Sequence, residues 1–176
     1  DSRYRHVLVR YEYVEEAGDL RSAINAQGYA WHYAYDARHQ LVRHRNRNGF
    51  SYLYHYASFA DGLDRVVEVK AEDGSYHFQL YYDPEHQQTV TIDPLGFKET
   101  LQYDNRNLPI AFIDAEGGVT TYGYDGQCRL ISEVDPEGLS TEWKYDRRGN
   151  IVTDIFPDRA KITRTFDDDN QLVALT

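Results

Sequence analysis

The side chains equipped for chemistry in this chain are its 29 Asp and Glu, its seven His and a single cysteine, Cys128. Paired carboxylates could act as general acid and base, clustered His and Asp could hold a metal, and a cysteine could attack as a nucleophile. Their spacing argues for another use. Asp83, Asp104, Asp125, Asp146 and Asp167 recur every 21 residues, each directly after an aromatic residue: Tyr82, Tyr103, Tyr124, Tyr145 and Phe166. A second series, Asp93, Asp114 and Asp135, keeps the same step. One active site needs one set of groups, whereas recurrence on a fixed period marks a repeat architecture.

The remaining candidates are equally plain. His32, His39 and His44 fall in one copy of the repeat and His77 and His86 in another, at spacings that match no helix or hairpin ligand signature. Asp167-Asp168-Asp169-Asn170 resembles part of a calcium loop but lacks its glycine and distal glutamate. Cys128 occupies the place that Gly149 fills in the next copy, with no base positioned by the pattern. No Gly-rich phosphate loop or Ser-centred elbow stands apart from the repeat. The expectation is a non-enzyme with no catalytic residue, cofactor or metal.

The elements that carry these residues follow from the period. Tyr35-Asp36 opens an earlier copy, Tyr56 lies 21 residues beyond Tyr35, and Tyr13 lies 22 before it. With the aromatic as position zero, position +6 is Leu41, Leu130, Ile151 or Leu172. Positions −4, −2 and 0 alternate as in a strand with one packed face, for instance Thr141, Trp143 and Tyr145. The Asp at +1 can accept from backbone amides just ahead and start a turn. Position +4 calls for a left-handed backbone and holds Gly149, Asn107, Asn170, His39, His86 or Cys128. Farther on, Asp93-Pro94-Leu95-Gly96 and Asp135-Pro136-Glu137-Gly138 have the composition of a type I turn. Asp114 with Gly117, and Gly49 in the early copy, hold equivalent places. Each unit is thus two strands and two turns.

Three departures stand out. Asn107-Leu108-Pro109 moves the apolar residue to +5, and Phe156-Pro157-Asp158-Arg159 lacks both Asp and Gly at the expected places. The step from Tyr56 to Tyr82 is 26, and the extra residues are expected as a longer hairpin loop within Ser58 to Arg65. Residues 1–176 read as a single repeat region of about eight 21-residue repeats, hence about 16 strands. At ~4.8 Å per strand such a sheet spans roughly 75 Å, and twist makes a sheet of that width curl. The expected fold is all-β: antiparallel hairpins in a curved, spiralling sheet. Tyr35, Tyr82, Tyr103, Tyr124, Tyr145 and Phe166 are expected to form its ladder, with Asp36 and the other following Asp residues as turn locks.

Composition bounds the partners. The net charge is −10 and the pI near 5.1, against the basic footprint of a nucleic-acid binder. No apolar run is long enough to span a bilayer. Sixteen Tyr against seven Phe suit half-buried sheet. The sequence has no Met and no basic-then-apolar leader, and reads as a fragment of a longer polypeptide.

Tyr124-Asp125-Gly126-Gln127-Cys128-Arg129-Leu130, then Asp135-Pro136-Glu137-Gly138 and Tyr145-Asp146, resembles the YD repeat of Rhs proteins. The resemblance is firm from Tyr82 to Leu172 and looser from Tyr11 to Tyr81. It extends to the shell components of Tc toxins and to teneurins. The resemblance implies an arc of a hollow β-cocoon wall that encloses a C-terminal toxin domain, in a secreted or cell-surface protein. Its partners would be the rest of the parent polypeptide, including that toxin, and further copies meeting at unpaired sheet edges. The alternative is a carbohydrate-binding or adhesion module, since exposed Tyr and Trp can stack on sugars. A four-bladed propeller ranks lower, because the uniform turns do not distinguish every second unit.

Overall fold

The computed structural model describes residues 8–176. Two compact units emerge: one from the chain up to Tyr81 together with Thr91–Gly96, the other from Tyr82–Val90 and Phe97–Thr176. The first holds β1 (Val9–Tyr13), β2 (Leu20–Asn25), β3 (Ala30–Tyr35), β4 (Leu41–Arg45), β5 (Ser51–Ser58) and β6 (Asp64–Ala71). Strands β7 (His77–Asp83) and β8 (Gln88–Ile92) carry residues of both. The second holds β9 (Lys98–Tyr103), β10 (Pro109–Ile113), β11 (Val119–Tyr124), β12 (Leu130–Val134), β13 (Ser140–Tyr145), β14 (Ile151–Ile155), β15 (Lys161–Phe166) and β16 (Leu172–Leu175). The expected all-β antiparallel meander is what forms: 16 strands among the described residues, hydrogen-bonded in chain order.

Strands touch only their chain neighbours, so each unit is one layer thick. Among the described residues the buried ones are accordingly few and mostly small: Ser22, Ser51, Ala71, Ala111, Asp154 and Ile155. Stability here comes from ladders and cross-strand pairs rather than from a two-layer core.

The two kinds of hairpin differ in register. Where the Asp93-type turn joins strands, pairing runs straight through, as in Ile113↔Val119, Val134↔Ser140 and Ile155↔Lys161. Where the aromatic-Asp turn joins them, the register skips one residue beside the aromatic. Lys144↔Thr153 gives way to Tyr145↔Ile151, and Ala34↔Arg43 to Tyr35↔Leu41. Seven hairpins carry this bulge among the described residues. A bulge adds local twist and re-aims the side chain beside it. Alternation alone does not reveal it, because the extra residue is absorbed between +6 and the strand that follows.

Two expectations need correction. The five extra residues between Tyr56 and Tyr82 do not lengthen a loop. The turn Phe59 to Leu63 has the ordinary size, with Phe59 N–H donating to Leu63 O at 2.9 Å. Two added rungs, Ala57↔Arg65 and Ser58↔Asp64, absorb four residues, and the turn from Ala71 to Tyr76 absorbs the fifth. The Ser58 hydroxyl donates to Asp64, so the added rungs are tied by side chains as well as backbone. His86 is not the left-handed residue of its turn; Gln87 is, at φ 52°. Pro84 explains the slip. The residue before a proline is pushed towards extended backbone, so Asp83 stays in β7 and the turn closes one residue later, Gln87 N–H to Pro84 O at 3.3 Å.

The frayed copy keeps its turn. Arg159 sits at φ 68° where other copies have glycine, and its N–H donates to Phe156 O at 2.9 Å. A left-handed residue with a Cβ costs ~1–2 kcal/mol, partly offset by the chain entropy that glycine loses on folding. Arg159→Gly should therefore raise folding stability by ~0.5–1 kcal/mol in a urea titration. A lower midpoint would show that the Arg side chain contributes more than its backbone costs.

Candidate functional site

The repeated aromatic-Asp pairs sit at one set of hairpin ends. Tyr35, Tyr103, Tyr124, Tyr145 and Phe166 are the last residues of β3, β9, β11, β13 and β15, and Tyr82 is the last but one of β7. All six are half-buried. Each of the five strand-terminal aromatics pairs with position +6 of the next strand: Leu41, Pro109, Leu130, Ile151 and Leu172. Pro109 thus takes the register place that an apolar residue fills elsewhere, while Leu108 stays in the turn.

Hydroxyls tie one repeat to the one before. Tyr145 O–H donates to Leu130 C=O at 2.8 Å and Tyr56 O–H to Leu41 C=O at 3.1 Å, each reaching back 15 residues. The acceptor is the backbone of the +6 residue, so the ring of one copy lies over the hairpin of the previous one. Burial raises the phenol pKa of Tyr35, Tyr56 and Tyr124, which keeps these hydroxyls protonated.

The Asp residues act on the backbone. One carboxylate oxygen accepts from the amides two and four residues ahead: Arg38 and Gln40 at Asp36, Arg106 and Leu108 at Asp104, Gln127 and Arg129 at Asp125. Asp146 and Asp167 do the same. So do Asp114 and Asp135 at the opposite hairpin ends, with Asn25 and Asn46 standing in for Asp. Asp93 accepts from Leu95, next to Pro94. Gly49, Gly96, Gly117 and Gly138 all lie at positive φ, between 82° and 89°, and close those turns.

A further seam escaped the sequence reading. Side chains of one aromatic-Asp turn reach the next: Arg148 to Asp168 at 2.7 Å and to Asp167 C=O at 2.8 Å, Asn150 to Asn170 at 3.0 Å, and Arg129 to Asp146 C=O at 3.1 Å. The Arg129 guanidinium also lies 4.5 Å from the centre of the Tyr145 ring. In the first unit Arg38 and Gln40 reach Asp64, and His39 reaches Asp19. Arg at +3 or +5 was the visible signal, since Arg38, Arg106 and Arg148 share one place and Arg129 lies two beyond.

The remaining candidates are accounted for locally. Cys128 is exposed at φ 62°, with Arg106 Nη1 3.9 Å from its sulfur. His86 hydrogen-bonds Asp83, while His55 and His77 both contact Glu68. Burial tends to raise the Glu68 pKa, but His77, Lys70 and His55 outweigh it and lower it. Among the described residues no three His, Cys, Asp or Glu side chains converge where a metal ion could be held. His44 is neither ligand nor turn residue. It sits in a run of rings, 5.9 Å from Trp31 and 4.9 Å from Tyr52, continued by Tyr76 and Phe78 at 5.6 and 4.4 Å. Its Nδ1 lies 2.7 Å from Tyr54 Oη, and burial lowers its pKa.

With this geometry in view, the comparisons with known proteins are consistent. The RHS Repeat family model matches residues 15–51, in the stretch where the motif is looser. The crystal structure of TcdB2-TccC3-TEV matches at TM-score 0.55 and 12% identity, over 94% of this chain and 11% of that one. TcdB2-TccC3 without its hypervariable C-terminal region matches at 0.40 and 9%, over 95% and 12%. The Photorhabdus luminescens Tc holotoxin pore matches at 0.34 and 10%, over 96% and 14%. The first match shows a shared fold, and the chain spans about a ninth of that structure's length. No curated protein sequence matches.

Two outcomes follow from the seam and the turn carboxylates. Tyr145→Phe keeps the ring and removes the donor to Leu130, so it should cost ~0.5–1.5 kcal/mol; an unchanged urea midpoint would mean that water replaces the bond at no cost. Acid should act through the carboxylates. The amides of Arg129 and His86 hold Asp125 and Asp83 below the usual range, the Asn150 side chain does so for Asp146, and Arg65 brings Asp61 to about 2. A depressed folded pKa means that the unfolded chain binds more protons between the two values. The stabilisation is complete above the ordinary carboxylate pKa of about 4 and is lost as pH falls through the folded values. The urea midpoint should drop between about pH 5 and about pH 2, and less steeply in Asp125→Asn/Asp146→Asn.

Proposed function

We propose that this chain of Rhs/YD repeats is a non-catalytic wall segment of a toxin shell, which in the full polypeptide encloses a C-terminal toxin domain. One observation carries the reading: within each unit every strand contacts only its chain neighbours, and the recurring side chains are spent on joining repeat to repeat. A sheet one layer thick leaves both faces for something else to meet. A wall has that requirement; an enzyme domain closes a core around one site. The fold shared with a Tc toxin structure supports this use, as does the RHS Repeat match. The same reading makes the protein secreted or surface-exposed and gives it the remainder of its own polypeptide as principal partner.

Limited proteolysis of the full parent polypeptide, with its C-terminal segment followed by mass spectrometry, tests the enclosure. The expected result is a segment that resists protease while the repeats are intact and becomes sensitive once they unfold. Immediate cleavage of that segment, with the repeats still folded, would remove encapsulation from the account.

A further inference from the structure

The face of the first unit opposite its stacked rings carries a cationic hollow. Side chains alternate along a strand, so His32 and Ala34 on β3 point away from Trp31 and Tyr33. Register sets His32 beside Arg45 and Ala34 beside Arg43 on β4. A hollow of about 370 Å³ is lined by these four residues and Tyr33. Ala34 makes room for it, since only a methyl group stands opposite the long Arg43 stem. Among the described residues no carboxylate lines it.

The two guanidinium groups are held from outside the hollow. Arg43 Nη2 donates to Ser51 Oγ at 3.0 Å and to Glu72 at 2.9 Å, and Arg45 Nε donates to Gly49 C=O at 3.2 Å. These bonds fix the stems without using every donor. Arg43 Nη1 and both Nη groups of Arg45 have no partner among the described residues. His32, Ala34 and Arg45 are exposed. Glu12, two strands from His32 in register, is taken up by the Ser22 hydroxyl at 2.6 Å and by Arg10 at 3.2 Å. The hollow is therefore positive in a chain of net charge −10.

Spacing selects the occupant. Arg43 and Arg45 lie two residues apart on one strand, about 7 Å. Carboxylates at alternate positions of an extended peptide have the same repeat. We propose that the hollow docks an extended acidic peptide segment with Asp or Glu at alternate positions. One carboxylate lies over Ala34 and accepts from Arg43 Nη1. The next is gripped by the two Nη groups of Arg45, with His32 beside it. A nucleic acid fits worse, because its phosphates continue past the hollow onto a chain of strong negative charge. The site lies wholly in the first unit and stands whether or not the chain is a shell wall.

An amide NMR titration of the full chain tests it with two capped hexapeptides of Glu and Ala. One has two Glu separated by a single Ala; the other has them separated by two. The first should shift the amides of Ala34, Arg43 and Arg45 and bind the tighter, less so as salt rises. Arg45→Gln should weaken it more than about tenfold. Arg47→Gln removes the same charge from the turn after β4 and should leave binding nearly unchanged. Ala34→Glu, which puts a carboxylate in the hollow, should abolish it; an unchanged far-ultraviolet circular dichroism spectrum would show that the sheet is kept. Equal binding of the two peptides, equal losses in Arg45→Gln and Arg47→Gln, or binding that survives Ala34→Glu overturns the proposal. So does absence of binding to the wild-type chain, or tighter binding of a thymidine hexanucleotide at the same amides.

Discussion

A carboxylate oxygen that accepts two backbone amides, from residues two and four places ahead, is the interaction on which the rest of this molecule leans. It recurs at both ends of the meander, with Asp36, Asp104, Asp125, Asp146 and Asp167 on one side and Asp114 and Asp135 on the other. Each such turn needs a residue with left-handed backbone, and the carboxylate holds the turn closed even where that residue is Cys128 or His39. Once the turn length is held, the register of the following strand is held too. The aromatic then falls beside the bulge, opposite position +6. A hairpin of slipping turn length would move every side chain to the other face.

Because the sheet is one layer thick, the usual stabilising core is missing and its work is distributed. In the second unit it passes through the phenol-to-carbonyl bond from Tyr145 to Leu130 and through Arg129 and Arg148, which reach from turn to turn. In the first unit a run of stacked rings takes a larger share, and His44 belongs to that run through shape and burial rather than through charge. Both solutions spend side chains on the neighbouring copy. That is the logic of a repeat protein, in which stability is a sum of units and their nearest-neighbour contacts.

The site is legible to a similar degree, with the same kind of gap. Asp-headed turns and aromatic strand ends could be named from their period, since each residue type has a local reason to stand there. The turn-to-turn arginines could not, because a surface Arg at +3 or +5 has no preferred partner until another turn is brought alongside. Nor could the alignment of Tyr11, Ala23 and Trp31 on three successive strands, which is a matter of register.

What the amino-acid sequence determined by itself was what residue type dictates locally: strand and turn alternation, about 16 strands, antiparallel order, and most of the positions needing a left-handed backbone. Local sterics and short-range hydrogen bonds decide those. Even there Pro84 moved one turn by a residue, through its effect on Asp83. Tertiary structure alone decided the bulge beside each aromatic, the absorption of the five extra residues as added rungs rather than loop, and the contacts between successive turns. The bulge and the added rungs are choices of pairing register between the strands of a hairpin, and the turn-to-turn contacts depend on which hairpins lie side by side; residue type alone specifies neither.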